Sequence, residues 1–194
     1  MSANWMTKLI HLAKFEPEFK FDIRYARNDN FVGRAVYPSA HAFLLEHVAM
    51  DLRTVHQSLK PHGFGLLIFD GYRPHSVTKL FWDLSNAHDR QFLADPVKGS
   101  NHNRGCAVDL SLYDLKTGQA VTMPSNFDEM NEKAYVAFTG GDARSRELRD
   151  LLQVSMHAHR FTGIKNEWWH FNHVSHSKHP VLDLAFDEIL RRIK

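Results

Sequence analysis

Leu44, Val48, Leu52, Val55 and Leu59 recur at steps of four, four, three and four. That period marks one face of an α-helix, and a helix with one apolar face has to bury it against another element. The spacing predicts a helix over residues 40–59, with Ser39 as N-cap and Pro61-His62-Gly63 as the stop. A partner surface follows at once. Gly65-Leu-Leu-Ile-Phe69 is a short apolar run between glycines, the pattern of a buried strand, and it delivers Asp70-Gly-Tyr-Arg-Pro74 as a turn at its end.

Further elements can be read in the same way. A helix is expected over 77–84, with Leu80, Phe81 and Leu84 inward, and then a polar loop over 88–104. A strand over 105–113 would place Cys106, Val108 and Leu110 on one face and Ala107, Asp109 and Ser111 on the other. Residues 114–140 are loop-rich, with Pro124 and Gly140-Gly141. A helix over 144–157 carries Leu148, Leu151, Leu152 and Met156, an aromatic strand occupies 163–171, and a closing helix 181–193. Helices and strands mix without regular alternation, which favours α+β over a doubly wound α/β sheet. No repeat or linker divides the 194 residues, so a single domain over 1–194 is expected.

Composition mainly excludes. A net charge of +2 from 24 basic and 22 acidic side chains, with no basic run, gives no reason to expect nucleic acid as a partner. No apolar stretch of ~18 residues exists for a membrane span. Lys8, His11 and Lys14 interrupt the apolar pattern near the amino end, so no secretory signal is expected and the cytoplasm is the default location. The lone Cys106 excludes an intrachain disulfide and, on the predicted apolar face, makes a poor nucleophile. Oligomeric state is not legible.

The chemistry concentrates in His102, Asp109, Glu167 and His170. Two imidazoles and one carboxylate make a mixed ligand set for Zn²⁺, which in catalytic sites takes three protein ligands and keeps one position for water. The second carboxylate is then free to act as general base. In a regular strand Glu167 and His170 would point to opposite faces, so a bulge or strand end is expected near Trp168–Trp169 if both serve one site. Arg73 has two readings: a bridge to Asp70, or a rigid guanidinium that stabilises an oxyanion. The remaining candidates, His157, His159, His173, His176 and His179, have no carboxylate partner in sequence and read as surface residues.

Ser100-Asn-His-Asn-Arg-Gly-Cys-Ala-Val-Asp109, Asp70-Gly-Tyr-Arg-Pro74 and Glu167-Trp-Trp-His-Phe171 together resemble the zinc D-alanyl-D-alanine dipeptidases. The likeness runs from about Tyr25 to Phe171 and includes Met123-Pro-Ser-Asn-Phe-Asp-Glu-Met130. It implies His102, Asp109 and His170 as ligands of one zinc, Glu167 as general base and Arg73 as the transition-state arginine. It also implies an α+β fold with a central antiparallel sheet flanked by helices. The substrate expected is a small free dipeptide, D-Ala-D-Ala. Ser100 is expected near its backbone, and Asp128 and Asp70 near its ammonium. One departure stands out: His159-Arg160 precedes Phe161 where the family pattern leads one to expect a glycine. Two other functions compete: a D,D-carboxypeptidase or endopeptidase on cell-wall peptides, which would require export, and a catalytically silent zinc-binding sensor. Retention of Glu167 and Arg73 argues against silence, because neither is needed merely to hold metal.

Overall fold

The computed structural model describes residues 8–193; Met1 to Thr7, on which the no-signal expectation partly rests, lie outside them. Strand β1 (Leu9–His11) leads into the single turn α1 (Leu12–Phe15), followed by β2 (Lys20–Phe21). β3 (Phe43–Leu45) pairs antiparallel with β1 and runs directly into α2 (Glu46–Leu59). The helix therefore starts six residues later than its apolar spacing suggests. Phe43, Leu44 and Leu45 are all buried, a run that suits a strand covered on both sides. Leu45, not Ser39, is the N-cap, and Glu46 sits in the first turn where the helix dipole favours an acid.

α2 buries Val48, Ala49, Leu52, Val55 and Leu59 against the sheet, beginning with β4 (Phe64–Asp70). α3 (His75–Leu84) follows the Asp-Gly-Tyr-Arg-Pro turn. It buries Phe81, but Leu84 is exposed; Thr78 takes an inward position instead because Asn103 Nδ2 donates to its hydroxyl at 2.8 Å. β5 (Ala107–Asp114) is covered on both faces. α4 (Ala143–Ala158) packs on α2 and on the strands.

The predicted aromatic strand is really a hairpin, β6 (Phe161–Ile164) and β7 (Glu167–His173), turning at Lys165-Asn166. α5 (Phe186–Arg192) is shorter than predicted. The backbone before it is engaged elsewhere: Leu182 N donates to Asn103 O, Leu182 O accepts from His75 N, and Leu184 N donates to Tyr72 Oη. This strap ties the chain to both motif loops.

The result is α+β, with a five-stranded sheet in the order β2-β4-β5-β7-β6. Its pairs are antiparallel except the short β2–β4 edge. Among the described residues no helix is long and apolar enough to cross a membrane.

Candidate metal centre

The sheet brings the sequence motifs into one row. Asp109 in β5 is registered with His170 in β7 on one side and with Asp70 in β4 on the other. Residues paired across antiparallel strands share a face. The Asp70 pairing depends on an extra residue at Phe69, since Ile68 pairs with Leu110 and Asp70 with Asp109. A second irregularity brings in Glu167. Gly163 pairs with Phe171 and Ile164 with Glu167, so one step on β6 faces four on β7, and Trp168–His170 bulge away from β6 while His170 keeps its place opposite Asp109 in β5. That places Glu167 Oε2 3.9 Å from His170 Nδ1 although the two are three positions apart.

His102 arrives from a short helical turn before β5. Gly105 closes that turn at φ +64°, where a Cβ would also strike Leu9. Gly71 O accepts from His102 Nδ1 at 2.7 Å. Gly71 can lie there because it has no Cβ; one would sit 2.6 Å from Phe43 O.

The donor atoms of His102, Asp109 and His170 all lie within 4.8 Å of one another. A carbonyl only accepts, so His102 Nδ1 carries the proton and Nε2 is left with a lone pair. His170 Nε2 meets Asn172 Oδ1 at 3.0 Å, which leaves Nδ1 with its lone pair. The two bare nitrogens face each other at 3.1 Å. Asp109 adds oxygens 2.9 Å from His170 Nδ1 and 3.3 Å from His102 Nε2. Three converging electron-pair donors with no hydrogen among them repel unless a cation joins them, and this set suits a metal. Without one the same pairs attract protons: burial would lower His170, but Asp109 outweighs it and raises the imidazole. Burial would likewise raise Asp109, yet His102 and His170 hold it well below the usual carboxylate range.

Glu167 is buried at the edge of this group. Burial, reinforced by Asp109 and opposed by His170 and Arg73, pushes its carboxyl up to about 7. Arg73 donates through Nε (3.0 Å) and Nη2 (2.8 Å) to Asp70 Oδ2, and Nη2 lies 3.6 Å from Asp109 Oδ2. Its guanidinium stacks near the Tyr25 and Phe81 rings, 5.3 and 4.9 Å from their centroids. Burial works against its charge, but Asp70 and the surrounding tyrosines and Asp109 keep it ionised.

His102, Asp109, His170, Glu167, Arg73 and Tyr25 face a cavity of about 340 Å³, as do Ser100 and Asp128, whereas Asp70 does not. Asp128 accepts from Tyr25 Oη at 2.8 Å and adopts a left-handed backbone, φ +59°. Burial pushes its carboxyl well above the aspartate range. Asp70, expected near a substrate ammonium, lies behind Arg73. Its second oxygen is taken by Tyr37 Oη (2.8 Å) and Gly71 N (2.9 Å), so both of its oxygens are engaged by groups of the protein itself.

The chain matches the peptidase family described as D-ala-D-ala dipeptidase over residues 5–188. It belongs to that family. Among its curated relatives, the D-alanyl-D-alanine dipeptidase of Escherichia coli is 33% identical over 176 residues, covering 91% of this chain and 90% of the relative. Those of Enterococcus faecalis (33% over 171 residues, 78% and 84% covered) and Streptomyces coelicolor (29% over 189, 87% and 91%) carry the same name. The chain is thus an enzyme of the metallopeptidase type.

Sequence reading missed Tyr25, Tyr37 and Asn172. Asn172 had a signal, since it lies two residues beyond His170 on the same strand face; the tyrosines, distant in sequence, had none. The histidines read as surface residues divide. His157 is exposed, but His173 and His179 are buried, His173 bridging Asp51 Oδ2 and Ser175 Oγ at 2.8 Å each. Cys106 is buried, and that burial pushes its thiol up to about 11.

Proposed function

We propose that this chain hydrolyses the free dipeptide D-Ala-D-Ala to two D-alanines, using one zinc ion held by His102, Asp109 and His170 and Glu167 as general base. The observation that carries the reading is the convergence of two bare imidazole nitrogens and a carboxylate beside the buried carboxyl of Glu167. The names of the three relatives support the substrate. Two nitrogens and one oxygen form a donor set that zinc takes in catalytic sites. When bound, zinc supplies Lewis acidity, polarising a carbonyl and making water nucleophilic near neutral pH.

The chain's own residues do the rest. Glu167, buried at the edge of the ligand set, accepts the proton of the attacking water as the water oxygen bonds to the carbonyl carbon, and returns it to the amine as the C–N bond breaks. Arg73, held by Asp70 and kept charged, stabilises the oxygen on which negative charge develops. Asp128 and Tyr25 line the cavity where an ammonium would restore the Asp128 charge, and Ser100 offers a polar contact to the peptide.

The test is hydrolysis of D-Ala-D-Ala by the purified chain, with and without chelator. Turnover should vanish with chelator and return with zinc. N-acetyl-D-Ala-D-Ala and a wall-type pentapeptide should be poor substrates, because a site that pairs an ammonium rejects analogues without one by a large factor. Comparable kcat/KM on the pentapeptide would favour a carboxypeptidase, and zinc binding with no turnover of either would favour a sensor.

A further inference from the structure

His170 can offer a metal only one nitrogen, and which one it offers is decided outside the ligand set. Its Nε2 meets Oδ1 of Asn172 at 3.0 Å. Asn172 lies two residues further along β7, on the same face. An amide oxygen can only accept, so the imidazole proton stays on Nε2 and Nδ1 is free toward His102 and Asp109. An amide, however, has two ends of nearly equal size. Turned by half a rotation, Asn172 would present its NH₂ to His170, Nε2 would have to accept, and the proton would move to Nδ1 and block it.

Asn101 prevents that turn. Its Nδ2 donates to the same Asn172 Oδ1 at 2.9 Å, so two donors from two elements meet on one oxygen. With Asn101 presenting its NH₂, only the oxygen end of Asn172 satisfies both. The main chain of Asn101 is fixed, its backbone carbonyl accepting from Arg104 N and Cys106 N at 3.1 Å each, so its side chain leaves the turn at a set place beside Asn172. The other histidine needs no such device: His102 Nδ1 donates to the Gly71 backbone carbonyl, which has no donor end to turn toward it.

We propose that Asn101 is a positioning residue for the metal centre, acting through Asn172 to fix His170 in the tautomer that leaves Nδ1 for the ion. The proposal rests on the zinc reading of the site. The phrase that supplies the ligand His102 thereby also sets the second histidine, one residue earlier and without touching the ion.

The measurement is the zinc dissociation constant of the folded protein by chelator competition. Asn172→Leu, which keeps the shape and loses the acceptor, should weaken zinc about 10–100-fold, the usual cost of losing such an outer partner. Asn101→Ala should weaken it by about tenfold. Asn101→Asp should weaken it further, because an acceptor at that point draws the NH₂ end of Asn172 inward; its added negative charge alone would favour a cation, so the sign is diagnostic. Asn172→Asp has acceptors at both ends and cannot be turned the wrong way. It should bind zinc at least as tightly as wild type, and the double variant Asn101→Ala, Asn172→Asp should match it.

Wild-type affinity in Asn101→Ala would overturn the proposal. So would an equal loss in both Asn172 backgrounds, which would make Asn101 merely structural. A raised KM with zinc affinity unchanged would make Asn101 a substrate contact, and would overturn it too. His102→Ala separates the two levels. If it binds zinc as well as wild type, the zinc reading falls and takes the proposal with it; if it binds weakly while Asn101→Ala does not, only the proposal falls.

Discussion

Replacing Asp70 by Asn separates the two roles open to it, because the change preserves shape and removes one acceptor. Asp70 Oδ2 accepts twice from Arg73, and Oδ1 accepts from Tyr37 Oη and Gly71 N. Burial raises this carboxyl, while the guanidinium and His102 pull it down. An Asn oxygen can serve one of these donor pairs but not both. If it faces Arg73, the Gly71 N–H loses its acceptor; if it faces Gly71, an NH₂ is set against a buried guanidinium. Hydrogen bonds to a charged group are worth about 1.5–3 kcal/mol each, and breaking a buried ion pair costs about 3–5 kcal/mol. Asp109, 3.6 Å from Arg73 Nη2, still offsets part of the charge, so about 3 kcal/mol is expected.

For a chain of this length 1 kcal/mol moves Tm by about 2–4 °C, so zinc-loaded Asp70→Asn should melt about 6–12 °C lower. Arg73 would also lose its aim, and kcat should fall toward the ~10²–10³ loss typical of a missing oxyanion donor. KM should change little. The double variant with Arg73→Ala should be no worse than Arg73→Ala alone, because both act through one pair. A normal Tm and kcat with a selectively raised KM would refute this reasoning and return Asp70 to the substrate's ammonium.

Other perturbations follow from the same contacts. Gly71→Ala sets a Cβ 2.6 Å from Phe43 O, a backbone atom, and should cost about 1–3 kcal/mol in thermal melts while loosening zinc through His102. Arg160 stands at φ +71° where the family pattern leads one to expect glycine; left-handed backbone costs a side chain about 1–2 kcal/mol, and its ion pair with Asp51 is largely exposed and worth about 0–1. Arg160→Gly should therefore raise Tm by a few degrees, and a fall would refute the strain. Glu167→Gln should keep its zinc and lower kcat by about 10²–10⁴; purification without metal would make Glu167 a ligand. Glu167 also predicts a pH effect on the metal-free chain. Its folded pKa is raised from 4.5 to about 7, so the associated stability is complete below the lower value and is lost as pH rises through the higher. Metal-free Glu167→Gln should be as stable as wild type at about pH 4 and more stable than wild type at about pH 8, by about 3 kcal/mol.

What could be read in advance was local. The buried face of α2 follows from spacing alone, and β4 from a run of apolar residues between glycines. The errors lie where tertiary partners overrule local pattern. Phe43–Leu45 leaves the helix because β1 offers it a ladder. Residues 181–185 stay extended because His75, Asn103 and Tyr72 use their backbone groups. Lys165-Asn166 turns one expected strand into two. His173 looked like a surface residue because Asp51, the partner that holds it inside, is 122 positions away.

The row Asp70, Asp109, His170 exists through pairing register, and register is invisible in the separate phrases. Two irregularities make it productive. The extra residue at Phe69 sets Asp70 opposite Asp109, so that Arg73, three residues on, reaches both carboxylates. The extruded Trp168–His170 segment lets Glu167 and His170 share a site although strand alternation would separate them. Such extrusions leave ladder groups unpaired, and here one is met from outside the sheet: Gln153 Nε2 donates to Trp168 O at 2.8 Å, while Ser125 Oγ accepts from the Trp168 indole. The bulge is therefore held by α4 and by the loop leading to Asp128. The two tryptophans between Glu167 and His170 are both buried, and Trp168 is anchored through its carbonyl to Gln153 and through its indole to Ser125.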